Sequence, residues 1–203
     1  MTRSHATQDL SRPVSSHASR FQTLLLMAPQ QGFLERLPHA RRTSILDAWF
    51  RAIEAFDSII LTQYVHRPSG PSMPAGRPPL PEIHGTFEPS TTPAQVQPEI
   101  QQRLQAREAL GARVQWLTHD SRSPFVSDLG ERALRGLVQS RMPCWIAGME
   151  TDVFVIKGAL DLIDQKVQVH LLEGGCASSK GPEAHAAALA MLGAIAPSST
   201  LCL

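Results

Sequence analysis

The chain has 203 residues, 42% of them hydrophobic, which is enough for one domain with a substantial core rather than a disordered polymer. Nineteen basic side chains nearly balance eighteen acidic ones, leaving a net charge of +1, and no basic patch with interleaved aromatics stands out, so nucleic acid is not an expected partner. No apolar run is long enough to span a bilayer, and the three sparse cysteines (Cys144, Cys176 and Cys202) lack metal or redox spacing, so a reducing, cytoplasmic setting without membrane or cofactor is expected.

Residues 1–20 are polar, rich in Ser and His, and without an apolar centre; they read as a disordered tail and not as a secretory signal. The remainder, 21–203, reads as one domain. Residues 22–28, built on Leu24, Leu25, Leu26 and Met27, form a continuous apolar run typical of a central parallel strand. A helix pattern follows over 38–56, with Ile45, Trp49, Ala52, Ile53 and Phe56 on one face. Residues 58–63 read as the next buried strand. The stretch 67–93 holds eight of the sixteen prolines, which disfavour helix and strand alike, and is expected as a long loop. Such a loop is either a lid or oligomer contact, or a plain surface excursion.

Helical spacing resumes over 95–110, followed by a strand at 113–117 and a helix over 127–139 capped by Ser127 or Asp128. Residues 142–147 form a short apolar strand that Gly148 ends. Thr151 and Asp152 then open a helix whose Val153, Ile156, Leu160 and Ile163 make one apolar stripe, with Lys157, Asp161 and Asp164 opposite. A further buried strand is expected over 167–172, a loop over 173–179, a helix from Pro182 to Leu192, and a short last strand using Ile195 and residues 200–203. Alternating strands and helices predict a three-layer α/β fold: a mostly parallel sheet of about six strands with helices on both faces. Ligands in such sheets bind beyond the carboxyl ends of the strands. The turn at 148–151 lies there, at a helix start expected to offer free N–H groups.

The segment Gly148-Met149-Glu150-Thr151-Asp152-Val153-Phe154-Val155, with Ala159-Leu160-Asp161-Leu162, Ser178 and Pro182-Glu183-Ala184-His185, resembles the isochorismatase-like cysteine hydrolases, which include nicotinamidases. Further matches are Gln30, Phe33 and Leu34 after the first strand, and Ser123 with Phe125 after the third. The resemblance implies a Rossmann-like fold and a site of three parts: a cysteine that attacks a carbonyl or related carbon, an Asp that takes the thiol proton, and a Lys that steadies charge. Those three positions carry Phe154, Ala28 and His119. Phenylalanine is no nucleophile, alanine takes no proton, and histidine exchanges a permanent charge for a switchable one. The resemblance also implies an Asp-x-His metal motif, here Tyr64-Val65-His66, which leaves His66 as a lone candidate ligand.

Two readings follow. The chain is a pseudoenzyme that binds a small molecule or serves as an assembly subunit, or it is an active hydrolase of a small amide or vinyl ether rewired around His119. The expected pocket is lined by Gln30, His119, Phe125, Met149, Glu150 and Phe154, with Ala28 at its floor. It either holds a flat small molecule or is filled by Phe154, whose ring buries far more area than a cysteine. Cys176, placed beyond a strand end, is a substitute thiol or a small loop residue; Cys144, inside a strand, is expected to be inert. Partners, if any, are expected to be a small molecule and other copies of the chain.

Overall fold

The strand β1 (Thr23–Met27) forms the centre of the sheet, and Leu24 through Met27 are fully buried. Each such side chain contributes roughly 1.5–3 kcal/mol by leaving water, which is why the most apolar run in the chain takes the middle position. The computed structural model describes residues 22–66 and 87–195. Around β1 lie β2 (Ser58–Tyr64), β3 (Arg113–His119), β4 (Cys144–Met149) and β5 (Val169–Ala177). Their order is β3-β2-β1-β4-β5, and every pairing is parallel. Strand order therefore reverses between β1 and β4, which opens the sheet's natural crevice at Ala28 and Glu150.

The helices are α1 (Gln31–Leu34), α2 (His39–Ala55), α3 (Pro98–Ala109), α4 (Asp128–Ser140), α5 (Ile156–Asp164) and α6 (Pro182–Ile195). Alternation along β1 sends Leu24 and Leu26 to one face, Leu25 and Met27 to the other. On the first face α2 packs near β5 and β1, with α3 beside it. On the second face, α5 comes so close that a Cβ on Gly158 would meet Met27 Sδ at 2.8 Å. Ser127 caps α4 as expected, its Oγ accepting from Gly130 N–H at 3.1 Å. No helix among the described residues is long and apolar enough to cross a membrane.

Several boundaries move. The helix expected from 95 begins at Pro98, after a 3₁₀ turn at Thr92–Ala94. Strand β3 runs on to His119, and β4 to Met149, which places both residues at strand ends. The loop expected over 173–179 is mostly strand. Between the pairs Ile146↔Leu171 and Gly148↔Cys176, two steps along β4 face five along β5, a bulge that absorbs Gly174 and Gly175 without ending the strand. Its carbonyls are held from α2: Trp49 Nε1–H donates to Gly175 O at 2.6 Å and Arg41 to Cys176 O at 2.7 Å. Ile195 closes α6, while residues 200–203, needed for the expected sixth strand, lie outside the described residues. So do the tail 1–20 and residues 67–86 of the proline-rich stretch.

Candidate functional site

Beyond β1 the chain makes a sharp left-handed step at Ala28, whose φ is 47°. A non-glycine residue held there carries backbone strain on the order of 1 kcal/mol, which the surroundings must hold in place. Ala28 N–H donates to Thr62 O at 3.1 Å, and Gln30 N–H donates back to Ala28 O at 2.8 Å. The fully buried Gln30 amide joins three segments. Its Nε2 donates to Tyr64 O (2.8 Å) and Ala94 O (2.7 Å), while its Oε1 accepts from Tyr64 N–H (2.8 Å). Gln30 was expected as a polar point in a pocket; its hydrogen-bonding groups are instead engaged in positioning the end of β2.

On the other side of the crevice, Glu150 also takes a left-handed conformation (φ 56°). Its carbonyl accepts from Val153 (2.9 Å), Phe154 (2.8 Å) and Val155 (3.3 Å). The last of these gives the segment Thr151–Val155 a π-type turn that leads into α5. The wider turn directs these three N–H groups to a single oxygen, and the N–H groups of Thr151 and Asp152 at the helix start are not among them. The Glu150 carboxylate accepts from Ser179 N–H at 3.2 Å, and burial raises its pKa against that bond. Asp152 accepts from Ser178 Oγ (2.7 Å) and Lys180 Nζ (2.6 Å); burial works against its charge, yet these bonds hold its carboxyl below the usual range. Thr151 Oγ1 and His185 Nδ1 lie 2.9 Å apart. Glu150, Thr151 and Asp152 thus fasten the turn to the segment after β5.

The centre of the site is a cluster of rings. Phe154 is fully buried, with ring centroids 5.8 Å from Phe33, 5.2 Å from Tyr64 and 5.5 Å from His119. The Phe33 and His119 contacts are edge-on, the geometry in which one ring's positive edge meets the other's negative face. Phe87 stacks on Phe33 at 4.3 Å and stands edge-on to Tyr64 at 6.0 Å. Of the two expectations for the pocket, the described residues favour the filled one. Met149 is fully buried at the end of β4. Phe125 is buried after β3, its N–H bonded to Ser123 Oγ at 3.1 Å, and among the described residues no ring contact joins it to the cluster. Tyr64 and Phe87 were not expected here as ring partners. Tyr64 sits directly opposite His119 in the β2–β3 register, which becomes visible once β3 is extended to His119.

His119 Nδ1 lies 2.8 Å from Ser121 O, so Nδ1–H is the donor and Nε2 the bare acceptor. Among the described residues neither His119 Nε2 nor Tyr64 Oη has a hydrogen-bond partner. Burial lowers the His119 pKa to about 4, and burial with the nearby Asp120 charge raises that of Tyr64 to about 12. Both groups are therefore neutral at pH 7. Because His119 titrates near 6.5 in the unfolded chain and near 4 when folded, the unfolded state binds the extra proton. Its contribution to stability is present above pH 6.5 and is lost as pH falls toward 4, by about 3 kcal/mol. Urea unfolding at pH 7 and pH 4 checks this: the loss on acidification should be smaller by that amount in His119→Gln.

Neither cysteine among the described residues offers an accessible replacement nucleophile. Cys144 is buried, with its thiol pushed up to about 12. Cys176, expected past a strand end, lies within β5 opposite Gly148, fully buried, its Sγ 3.8 Å from Ile146 O. No three His, Cys, Asp or Glu side chains converge among the described residues, and Tyr64, at the place of the motif's carboxylate, gives its ring to the cluster. His66 contributes a backbone N–H to Phe87 O at 2.6 Å.

Comparison with known proteins agrees with this architecture. The structure is similar to that of nicotinamidase/pyrazinamidase PncA from Bacillus subtilis, with a TM-score of 0.69 and 16% identity over 90% of this chain and 99% of that one. It is similar to PnC1 from L. infantum, solved in complex with nicotinate, with a TM-score of 0.63 and 22% identity over 94% of each chain. N-carbamoylsarcosine amidase from Thermoplasma acidophilum gives 0.64 and 16%, over 89% of this chain and 95% of that one. No curated protein matches the chain in sequence. The isochorismatase domain model matches residues 22–200, and the chain belongs to the isochorismatase family.

Proposed function

We propose that the chain is a non-hydrolytic member of its family, a cytoplasmic protein whose role is binding or assembly rather than cleavage of amides. The observation that carries this reading is the fully buried Phe154 ring, held by Phe33, Tyr64 and His119 where the resemblance places the nucleophile. Ala28 and a neutral His119 stand where the base and the cation are implied. A site that lacks one such group loses orders of magnitude in rate, and groups that act as a unit fail together. Purified protein incubated with nicotinamide and with isochorismate should release no product above the buffer blank. Turnover at enzyme-like rates, on the order of 1 per second, would overturn the proposal.

A rewired hydrolase is the second reading, and one observation favours it: two buried polar atoms, His119 Nε2 and Tyr64 Oη, lack partners among the described residues and come from register neighbours. Its signature would be a measured activity that disappears in a folded His119→Ala variant. As an assembly subunit, the chain would pair with itself or with an active relative, and a solution mass above that of one chain would support that role.

A further inference from the structure

Among the described residues the ring cluster occupies the carboxyl end of the sheet, and a cleft lies at its amino end. The cleft, of about 400 Å³, lies between α4 and the first residues of β1, β2 and β3. Its floor is two rows of the sheet. Thr23, Ser58 and Arg113 pair side by side in the first, and Ile60 and Gln115 in the second. Its wall is one face of α4: Arg132, Ala133, Gly136, Leu137 and Ser140.

Among the described residues the lining is one-sided: two arginines, three hydroxyls and an amide, with no carboxylate. The nearest acids in sequence are already paired with other arginines, Asp57 with Arg107 at 2.6 Å and Glu131 with Arg135 at 3.7 Å. Among the described residues Arg113 has no acidic partner, and Arg132 uses only Nε, which donates to Asp128 O at 3.2 Å. Thr23 Oγ1 donates to Ser58 Oγ at 3.2 Å, which leaves the Ser58 proton free to point into the cleft. A guanidinium offers paired N–H donors in a planar fork that matches a carboxylate or phosphate. Ile60, Ala133 and Leu137 add an apolar surface beside them. The α4 wall also stands back from the sheet at Gly136, where an added Cβ would meet nothing within 4 Å.

We propose that this cleft is a binding site for a small organic anion, a carboxylate or phosphate ester on an apolar body, held by Arg113 and Arg132. It lies roughly 20 Å along the strands from the ring cluster, so it is independent of the crevice at Ala28 and Glu150. A family member with a filled crevice would in this way keep a place for a small molecule.

Titration calorimetry on the full chain tests the proposal with three probes: phenyl phosphate, benzoate and the neutral benzyl alcohol. At least one of the two anions should bind saturably with Kd below about 1 mM, and benzyl alcohol at least about tenfold more weakly. Arg113→Gln and Arg132→Gln should each weaken the anion about tenfold. Gly136→Leu, which puts a side chain into the space, should abolish binding. Amide chemical-shift changes in the unmutated protein should centre on Ser58, Arg113 and Gly136, a readout independent of how any variant folds. Absence of saturable binding, equal binding of benzyl alcohol, indifference to both arginine changes, or shifts centred on Phe154 would each overturn it. None of these results depends on whether the protein hydrolyses an amide.

Discussion

Phe154→Ala is expected to destabilise the protein by about 3–5 kcal/mol in urea unfolding at pH 7, among the largest effects of any side-chain truncation in this chain. The ring has no exposed surface and among the described residues meets Phe33, Tyr64 and His119, the first and last of them edge-on. Removing it forfeits both the transfer free energy of the buried ring and the packing of its neighbours, because a core held by α5 and two strand ends relaxes only in part. His119 should report the change as well. Its pKa is low because burial denies its charge water. A cavity beside the imidazole that admits water should move it upward toward 6.5, which proton NMR of the ring would follow. A loss below about 1 kcal/mol, with an unmoved His119, would mean that the ring is incidental to the closed site.

The same ring explains what was legible in the sequence and what was not. The strands were legible because Leu24 to Met27, Ile59 to Leu61 and Trp145 to Ala147 are buried apolar runs, and the helices because α4 and α5 carry single apolar stripes. Phe154 was legible as a departure at a defined place in a motif. Its partners were not. Phe87 lies in a proline-rich stretch with no periodicity to place it, yet it stacks on Phe33 at 4.3 Å. Tyr64 reads from its motif as a failed metal ligand, and only the register that sets it opposite His119 makes it a wall of the cluster. Gly174 and Gly175 read as a strand end because glycine breaks strands, but a bulge held by Trp49 and Arg41 lets β5 run through them. The anion cleft was not legible at all, since it joins residues from three strands and a helix, none of which forms a motif with another.

Gly148→Ala is expected to cost more than about 4 kcal/mol, lowering Tm by roughly 10 °C or more, or to prevent accumulation of folded protein altogether. At this position φ is 145°, and an added Cβ would stand 2.1 Å from Met27 O and 2.8 Å from Met27 C and Cα. All three are backbone atoms of the central strand, paired to Gly148 in register, so no side chain can swing aside to make room. The contrast is Gly136→Ala, where nothing lies within 4 Å and the added methyl favours helix by about 0.5–1 kcal/mol. Thermal unfolding of the two variants side by side separates a steric demand from a general effect of replacing glycine. If Gly148→Ala unfolded within about 1 kcal/mol of the parent, the close approach of β4 to β1 would not be needed. The expected outcome bears on function too. The approach at Gly148 sets where Glu150 turns, and the Glu150 carbonyl sets the turn that carries Phe154 into the ring cluster. The backbone that carries Phe154 is therefore under strict steric control, because moving Gly148 away from Met27 would move the turn that buries the ring.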